Sequence, residues 1–187
     1  MAHYGMVADH LQDLHEQASP RIYEPIMNSA EGYLQMWERS IANDNTDYHN
    51  PLELYVRVVN WGNGKCIDVP GEDNNVTDCQ KVQQYDCLYQ SDDQQWFYDP
   101  KEGSVRSKLN WNKCVAIVDG NTDNSTPIII RDCNGEANQQ WDHDGGYFRS
   151  RLNANKVLDA NGNSDRSEVT VWDYNSGANQ RWRTVLN

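Results

Sequence analysis

Asn179-Gln180-Arg181-Trp182 is the last of three occurrences of one short pattern. Asp93-Gln94-Gln95-Trp96 and Asn138-Gln139-Gln140-Trp141 are the other two, and each closes a block with the same internal order. In the first block, Asn60-Trp61-Gly62-Asn63-Gly64-Lys65-Cys66-Ile67-Asp68 leads to Val82-Gln83-Gln84-Tyr85-Asp86-Cys87. In the second, Asn110-Trp111-Asn112-Lys113-Cys114-Val115-Ala116 leads to Ile128-Ile129-Ile130-Arg131-Asp132-Cys133. In the third, Asn153-Ala154-Asn155-Lys156-Val157-Leu158-Asp159 leads to Val169-Thr170-Val171-Trp172-Asp173-Tyr174. Self-similarity at near-regular spacing marks a repeat architecture, in which each block is one supersecondary unit.

Within a block, the β-branched runs read as short strands and the Gly, Asn and Asp clusters between them as turns. Gly71-Glu72-Asp73-Asn74-Asn75, residues 119–126 and Asn161-Gly162-Asn163 are such clusters. No helical period runs through the blocks, so the expectation is a closed all-β body. Trp96, Trp141 and Trp182 are expected in its core rather than at a ligand.

Composition narrows the function. The chain has 187 residues, 16 Lys and Arg against 28 Asp and Glu, and a net charge of −12. Such a surface repels phosphate backbones and anionic membranes, which argues against nucleic acid and membrane partners. With 37% hydrophobic residues, no apolar run reaches the ~20 residues of a membrane span. Residues 1–20 lack a cationic start and an apolar core, and read as containing no signal peptide. Seven Trp and ten Tyr against two Phe favour rings that carry a polar handle, common where a protein meets polar partners.

The Lys-Cys-x-Asp, Val-Gln-x-Tyr-x-Cys and Gln-x-Trp series over residues 54–187 resembles ricin-type lectin domains, which are β-trefoils with pseudo-threefold repeats. The resemblance implies disulfides Cys66–Cys87 and Cys114–Cys133, with Cys79 unpaired. The third block has Val157 and Tyr174 in those places. Each bridge closes a loop of about 20 residues and contributes roughly 3 kcal/mol in the chain-entropy model. Reduced, buried thiols are the alternative. No Cys-x-x-Cys is present and no His lies near the Cys pairs, so neither a metal nor any other cofactor is expected. Bridges imply an oxidising compartment, hence a secreted or extracellular protein. The sequons Asn75-Val76-Thr77 and Asn124-Ser125-Thr126 fit that reading, although Pro127 weakens the second.

A hexose presents hydroxyls around its rim and a C–H face. Its site needs a ring to cover that face, a carboxylate to accept hydroxyl protons, and amides that donate and accept. By resemblance, the acceptors are Asp68 and Asp159 and the ring platforms Tyr85 and Trp172. Asp93 and Asn179 are the polar residues before Gln-x-Trp, Gln94 and Gln180 orient the carboxylates, and Gln83 is a further sugar contact. The second block has Ala116 for the Asp and Arg131 for the ring, so its site reads as lost. Turn-capping is the alternative role for Asp68 and Asp159.

Residues 1–53 match nothing in the repeat. Val7, Leu11, Leu14 and Ala18 share a helix face, ended by Pro20 and Pro25. Asn28 and Glu31 suggest a capping box before a second stripe of Ala30, Tyr33, Leu34, Trp37 and Ile41. Residues 43–51 read as a polar linker. The expectation is a short α-helical extension whose stripes pack on the β body or on each other; the alternatives are a docking surface for a second copy or partner chain and a remnant of a larger toxin or enzyme. His10 and His15 do not share a helix face, which argues against a metal site there.

The reading is therefore a non-enzymatic lectin for glycans of galactose or N-acetylgalactosamine type, with glycoproteins as partners. Its rivals are a xylan-binding module of a glycan-degrading enzyme and the targeting subunit of a toxin. A glycosidase would need paired carboxylates, and the Asp residues sit in separate blocks.

Overall fold

In the computed structural model the chain is described over residues 55–71 and 76–186. The proposed helical extension over 1–53, and any docking through it, lies outside the described residues. Tyr55–Asn187 forms one unit by itself. Its strands are β1 (Val56–Asn60), β2 (Cys66–Asp68), β3 (Gln80–Lys81), β4 (Gln83–Tyr85), β5 (Trp96–Asp99), β6 (Ser104–Ser107) and β7 (Lys113–Ile117). They continue with β8 (Thr126–Asp132), β9 (Trp141–Asp144), β10 (Tyr147–Ser150), β11 (Lys156–Ala160), β12 (Val169–Asp173) and β13 (Trp182–Leu186).

Each motif contributes the same parts. The Gln-x-Trp segments form a 3-10 turn followed by a strand that begins at the Trp. β5 pairs with β6, β9 with β10, and β13 with β1, all antiparallel, so the last strand closes onto the first. Three hairpins, β2–β4, β7–β8 and β11–β12, hold the paired block segments in one register: Cys66 opposite Tyr85, Cys114 opposite Arg131, Val157 opposite Trp172. The hairpins also meet one another, through β3–β8, β8–β12 and the bridge Gln83–Glu168. This cyclic, threefold arrangement is the closed all-β body that the repeats imply and the β-trefoil that the resemblance implies.

Trp96, Trp141 and Trp182 are buried at its centre with Val58, Ile67, Val115, Ile128, Phe148 and Leu158. Burying an indole demands a partner for its N–H. Trp96 Nε1 donates to Ile67 O at 3.1 Å, Trp141 Nε1 to Val115 O at 3.1 Å, and Trp182 Nε1 to Leu158 O at 3.0 Å. Each acceptor precedes Asp68, Ala116 or Asp159, so the core Trp pins the strand at the position that matters for the site.

Cys66–Cys87 and Cys114–Cys133 are bonded, at S–S distances of 2.01 and 2.02 Å, and Cys79 is free and exposed. The lysine that opens each motif locks two blocks together. Lys65 pairs with Asp86 at 2.6 Å and with Asp165 of the third block at 2.5 Å. Lys113 pairs with Asp132 at 2.7 Å and with Asp78 of the first block. Lys156 pairs with Asp173 at 2.8 Å and donates to Asn124 Oδ1 of the second block at 2.8 Å.

Candidate functional site

The Gln of each Gln-x-Trp motif does the same job in all three blocks. Gln94 Nε2 donates to Asp86 O at 3.0 Å, and its Oε1 accepts from Leu88 N at 2.8 Å. Gln139 makes the equivalent bonds to Asp132 O and Asn134 N, at 2.8 and 2.9 Å, and Gln180 those to Asp173 O and Asn175 N, both at 2.9 Å. The amide thus ties down the loop after each hairpin. Where the block has an aspartate, the same Nε2 also reaches it: Gln94 to Asp68 Oδ2 at 3.0 Å, Gln180 to Asp159 Oδ2 at 3.0 Å.

In the third block, Asp159 on β11 is buried and stands opposite Thr170 of β12. Asn179 Nδ2 adds a second bond to Asp159 Oδ2 at 2.9 Å. No described side chain or backbone N–H donates to Oδ1. Trp172, two residues beyond Thr170, is half-buried, so one part of the indole stays open to solvent. The Thr170 hydroxyl is buried without a hydrogen-bond partner. Burial pushes the Asp159 carboxyl above the usual aspartate range, and the two amides oppose that shift.

In the first block, Asp68 on β2 is equally buried, opposite Gln83 of β4. Gln83 Nε2 donates to Asp68 Oδ1 at 2.6 Å, so Gln83 contacts the carboxylate as well as standing where the resemblance puts a sugar contact. Asp93 does not take the role of Asn179. Its carboxylate accepts from Ser91 Oγ, its backbone O accepts from Val69 N at 3.0 Å, and a carboxylate has no N–H to offer Asp68. Burial raises Asp68 too, with the nearby charges of Asp93 and Asp165 adding to the effect. Tyr85 is half-buried beside it.

The second block keeps the frame and lacks the chemistry. Ala116 is fully buried, Arg131 stands in place of the ring, and Asn138 Nδ2 turns to Ile117 O at 3.1 Å. No group of three or more His, Cys, Asp or Glu side chains suited to a metal occurs among the described residues. No helix of the described residues is long and apolar enough to cross a membrane.

The sequence reading missed the three loop residues Asp78, Asn124 and Asp165. They hold the site hairpins from the neighbouring block, by accepting from the backbone N–H of Asp132, Asp173 and Asp86 at 3.1, 2.8 and 3.0 Å. Their only shared signal is a polar residue in each inter-strand loop.

The architecture is that of a β-trefoil with a buried aspartate at the same strand position in two of its three lobes. Residues 54–182 match the ricin-type beta-trefoil lectin domain, and the chain belongs to that family of carbohydrate-binding domains. Among solved structures, the chain is similar to ThreeFoil, a designed threefold-symmetric protein, at 30% identity and TM-score 0.61, covering 70% of this chain and 97% of that one. It is similar to the C-half of an earthworm R-type lectin in complex with GalNAc, at 21% identity and TM-score 0.58, covering 71% and 98%. It is also similar to an exo-β-1,3-galactanase from Clostridium thermocellum, at 26% identity and TM-score 0.63, covering 74% of this chain and 31% of the enzyme. No curated protein matches the chain.

Proposed function

We propose that the chain binds glycans ending in galactose or N-acetylgalactosamine. Asp159, Trp172, Asn179 and Gln180 form one site, and Asp68, Gln83, Tyr85, Asp93 and Gln94 the other. The observation that carries this reading is a buried carboxylate, gripped by amides beside a half-open ring, at two of three equivalent positions. A hydrogen bond from a sugar hydroxyl to such a carboxylate is worth about 1.5–3 kcal/mol, and the ring covers the sugar's C–H face. The earthworm lectin's GalNAc and the clostridial enzyme's galactan substrate support the sugar class. Each site has the parts of a binding site and the chain acts without turnover. The two bridges fit an extracellular protein. The galactanase match favours a second reading, in which the chain is the sugar-holding part of a larger glycan-degrading protein.

One shallow site should bind a monosaccharide with a Kd on the order of 0.1–1 mM, and two sites on one surface can raise avidity by ~10² or more. A glycan array at neutral pH tests the class: galactosides should dominate, and a response to xylan alone would replace the reading. Calorimetry tests the sites. Wild type should bind two monosaccharides, and Asp68→Ala and Asp159→Ala should each lower the stoichiometry towards one. The double variant should stay folded and silent. A wild-type stoichiometry of three, or binding by the double variant, would overturn the assignment.

A further inference from the structure

Around the third block, and reaching Trp61 of the first, runs a row of rings and guanidiniums that the galactoside site does not use. Tyr174, in the place of a bridging cysteine, is 42% exposed and packs edge-on against Tyr147, 4.9 Å between centroids. Arg149 lies over both rings, 4.2 Å from Tyr174 and 5.5 Å from Tyr147. Arg181 stands 5.9 Å from Tyr147 and 5.4 Å from Trp61, and Arg183 lies 5.6 Å from Trp61. Trp61 itself is 58% exposed.

In a chain of net charge −12, these three arginines are gathered on aromatic rings rather than on carboxylates. Arg106 and Arg151 are paired with Glu102 and Asp142. Arg149, Arg181 and Arg183 form no ion pair among the described residues. The bond from Arg149 Nη1 to Ala154 O is long, at 3.5 Å. Asp142, cross-strand from Arg149, is held by Arg151 at 2.7 Å, and Asp144 lies cross-strand from Tyr147. A guanidinium stacked on a ring keeps its in-plane N–H edge free, and that edge fits a carboxylate or sulfate bidentately.

The row adjoins the third site. Tyr174 follows Trp172 by two residues, and Arg181 directly follows Gln180, which holds Asp159. Arg149 and Trp172 flank Val157 from either side in the β10–β11–β12 register. Trp61 N donates to Arg181 O at 2.7 Å, and a Cβ at Gly62 would stand 3.1 Å from the Ala178 carbonyl carbon, so the turn bearing Trp61 is seated on the turn bearing Asn179.

We propose that this row extends the third site and binds a negatively charged substituent, a carboxylate or a sulfate, on a galactoside held by Asp159. The proposal rests on the galactoside reading. Recognition is local, because the net charge of the whole chain repels polyanions at a distance.

The test is calorimetry on the full chain with lactose, sulfated lactose and sialyllactose, at low and high salt. At least one acidic sugar should bind about three- to tenfold tighter than lactose at low salt, with the gain shrinking as salt screens it. Whether the sulfate or the carboxylate shows the gain identifies which is read. Arg149→Gln with Arg181→Gln should erase the gain and leave lactose affinity unchanged. Lactose binding with no gain for either acidic sugar would overturn the row and leave the galactoside reading standing. A gain that survives in the double variant would overturn it as well. Failure of all three sugars in wild type would overturn both readings. The wild-type comparison holds whether or not the variant folds.

Discussion

In the third block Asn179 and Gln180 both donate to Asp159 Oδ2, and Oδ1 receives nothing from the described residues. In the first block Gln83 occupies Oδ1 of Asp68 and Gln94 occupies Oδ2. The two carboxylates are equally buried and sit on the same strand position, yet one has an open oxygen and the other has both engaged. A carboxylate has about four lone-pair sites, so Asp68 can still accept from a sugar. It does so with its open lone pairs split between two engaged oxygens and with the Asp93 charge nearby, so the third block is expected to bind more tightly. The second block completes the lesson. Gln139 and Trp141 make every structural bond their counterparts make, with Ala116 where the acceptor would be. The Gln-x-Trp motif therefore builds the lobe, and the residue two after the first Cys or Val decides whether the lobe carries a carboxylate acceptor.

The largest effect expected from this comparison is on stability. Cys66→Ser with Cys87→Ser should cost about 3 kcal/mol in urea unfolding. Tyr174→Ala, at the corresponding place in the bridge-free third block, should cost about 1 kcal/mol or less, as befits a side chain already part-exposed. Equal losses would mean that the third block's packing replaces a bridge in full.

A smaller effect is expected from exchanging the residues that separate the two sites. Asp93→Asn removes a like charge from beside Asp68, so the first site should tighten by about two- to fivefold, the worth of one part-screened charge contact. Titration in an Asp159→Ala background reads that site alone. No change would show that Asp93 is not what separates the sites.

The smallest effect is in the pH dependence. Burial raises both Asp68 and Asp159, so the neutral carboxyl is the form that folding favours. The stability contributed by each is present below the ordinary aspartate pKa and is lost as pH rises through the elevated folded value. Asp159→Asn should thus raise the Tm at neutral pH by about 2 °C or less, with the gain fading in acid. Sugar binding, which needs the charged form, should fall on acidification before an ordinary aspartate would protonate. Asp78, Asp165 and Asp173 behave oppositely. The lysines Lys113, Lys65 and Lys156 hold them below the usual range, so their contribution is present at neutral pH and lost as pH falls through the depressed values.

Much of the site was legible because the chain writes its plan three times. The repeated order made the blocks comparable, and the family resemblance laid on it singled out Asp68 and Asp159, pointed to the block without an acceptor, and paired the cysteines. Asn124 shows where that reading ends. As sequence it is a glycosylation sequon. In the fold its Nδ2 donates to Asp173 Oδ2 at 2.8 Å, and its Oδ1 accepts from Lys156 and Asp173 N, both at 2.8 Å. A glycan on Nδ2 would displace the bond that ties the second block to the third.

The amino-acid sequence by itself determined a three-block β fold and its core tryptophans, and its family resemblance added the bridges and the lobe without an acceptor. Each of these depends on residue identity at a repeated local position, and a repeat makes local positions comparable. Only the tertiary structure decided that Asp68 is engaged on both oxygens while Asp159 keeps one open. It alone showed that Asp78, Asn124 and Asp165 hold neighbouring blocks, and that Trp61 joins Arg181 and Arg183 at the start of β13. Those facts depend on which oxygen an amide faces and on side chains brought together across the closed ring of blocks, and neither is a property of any one stretch of chain.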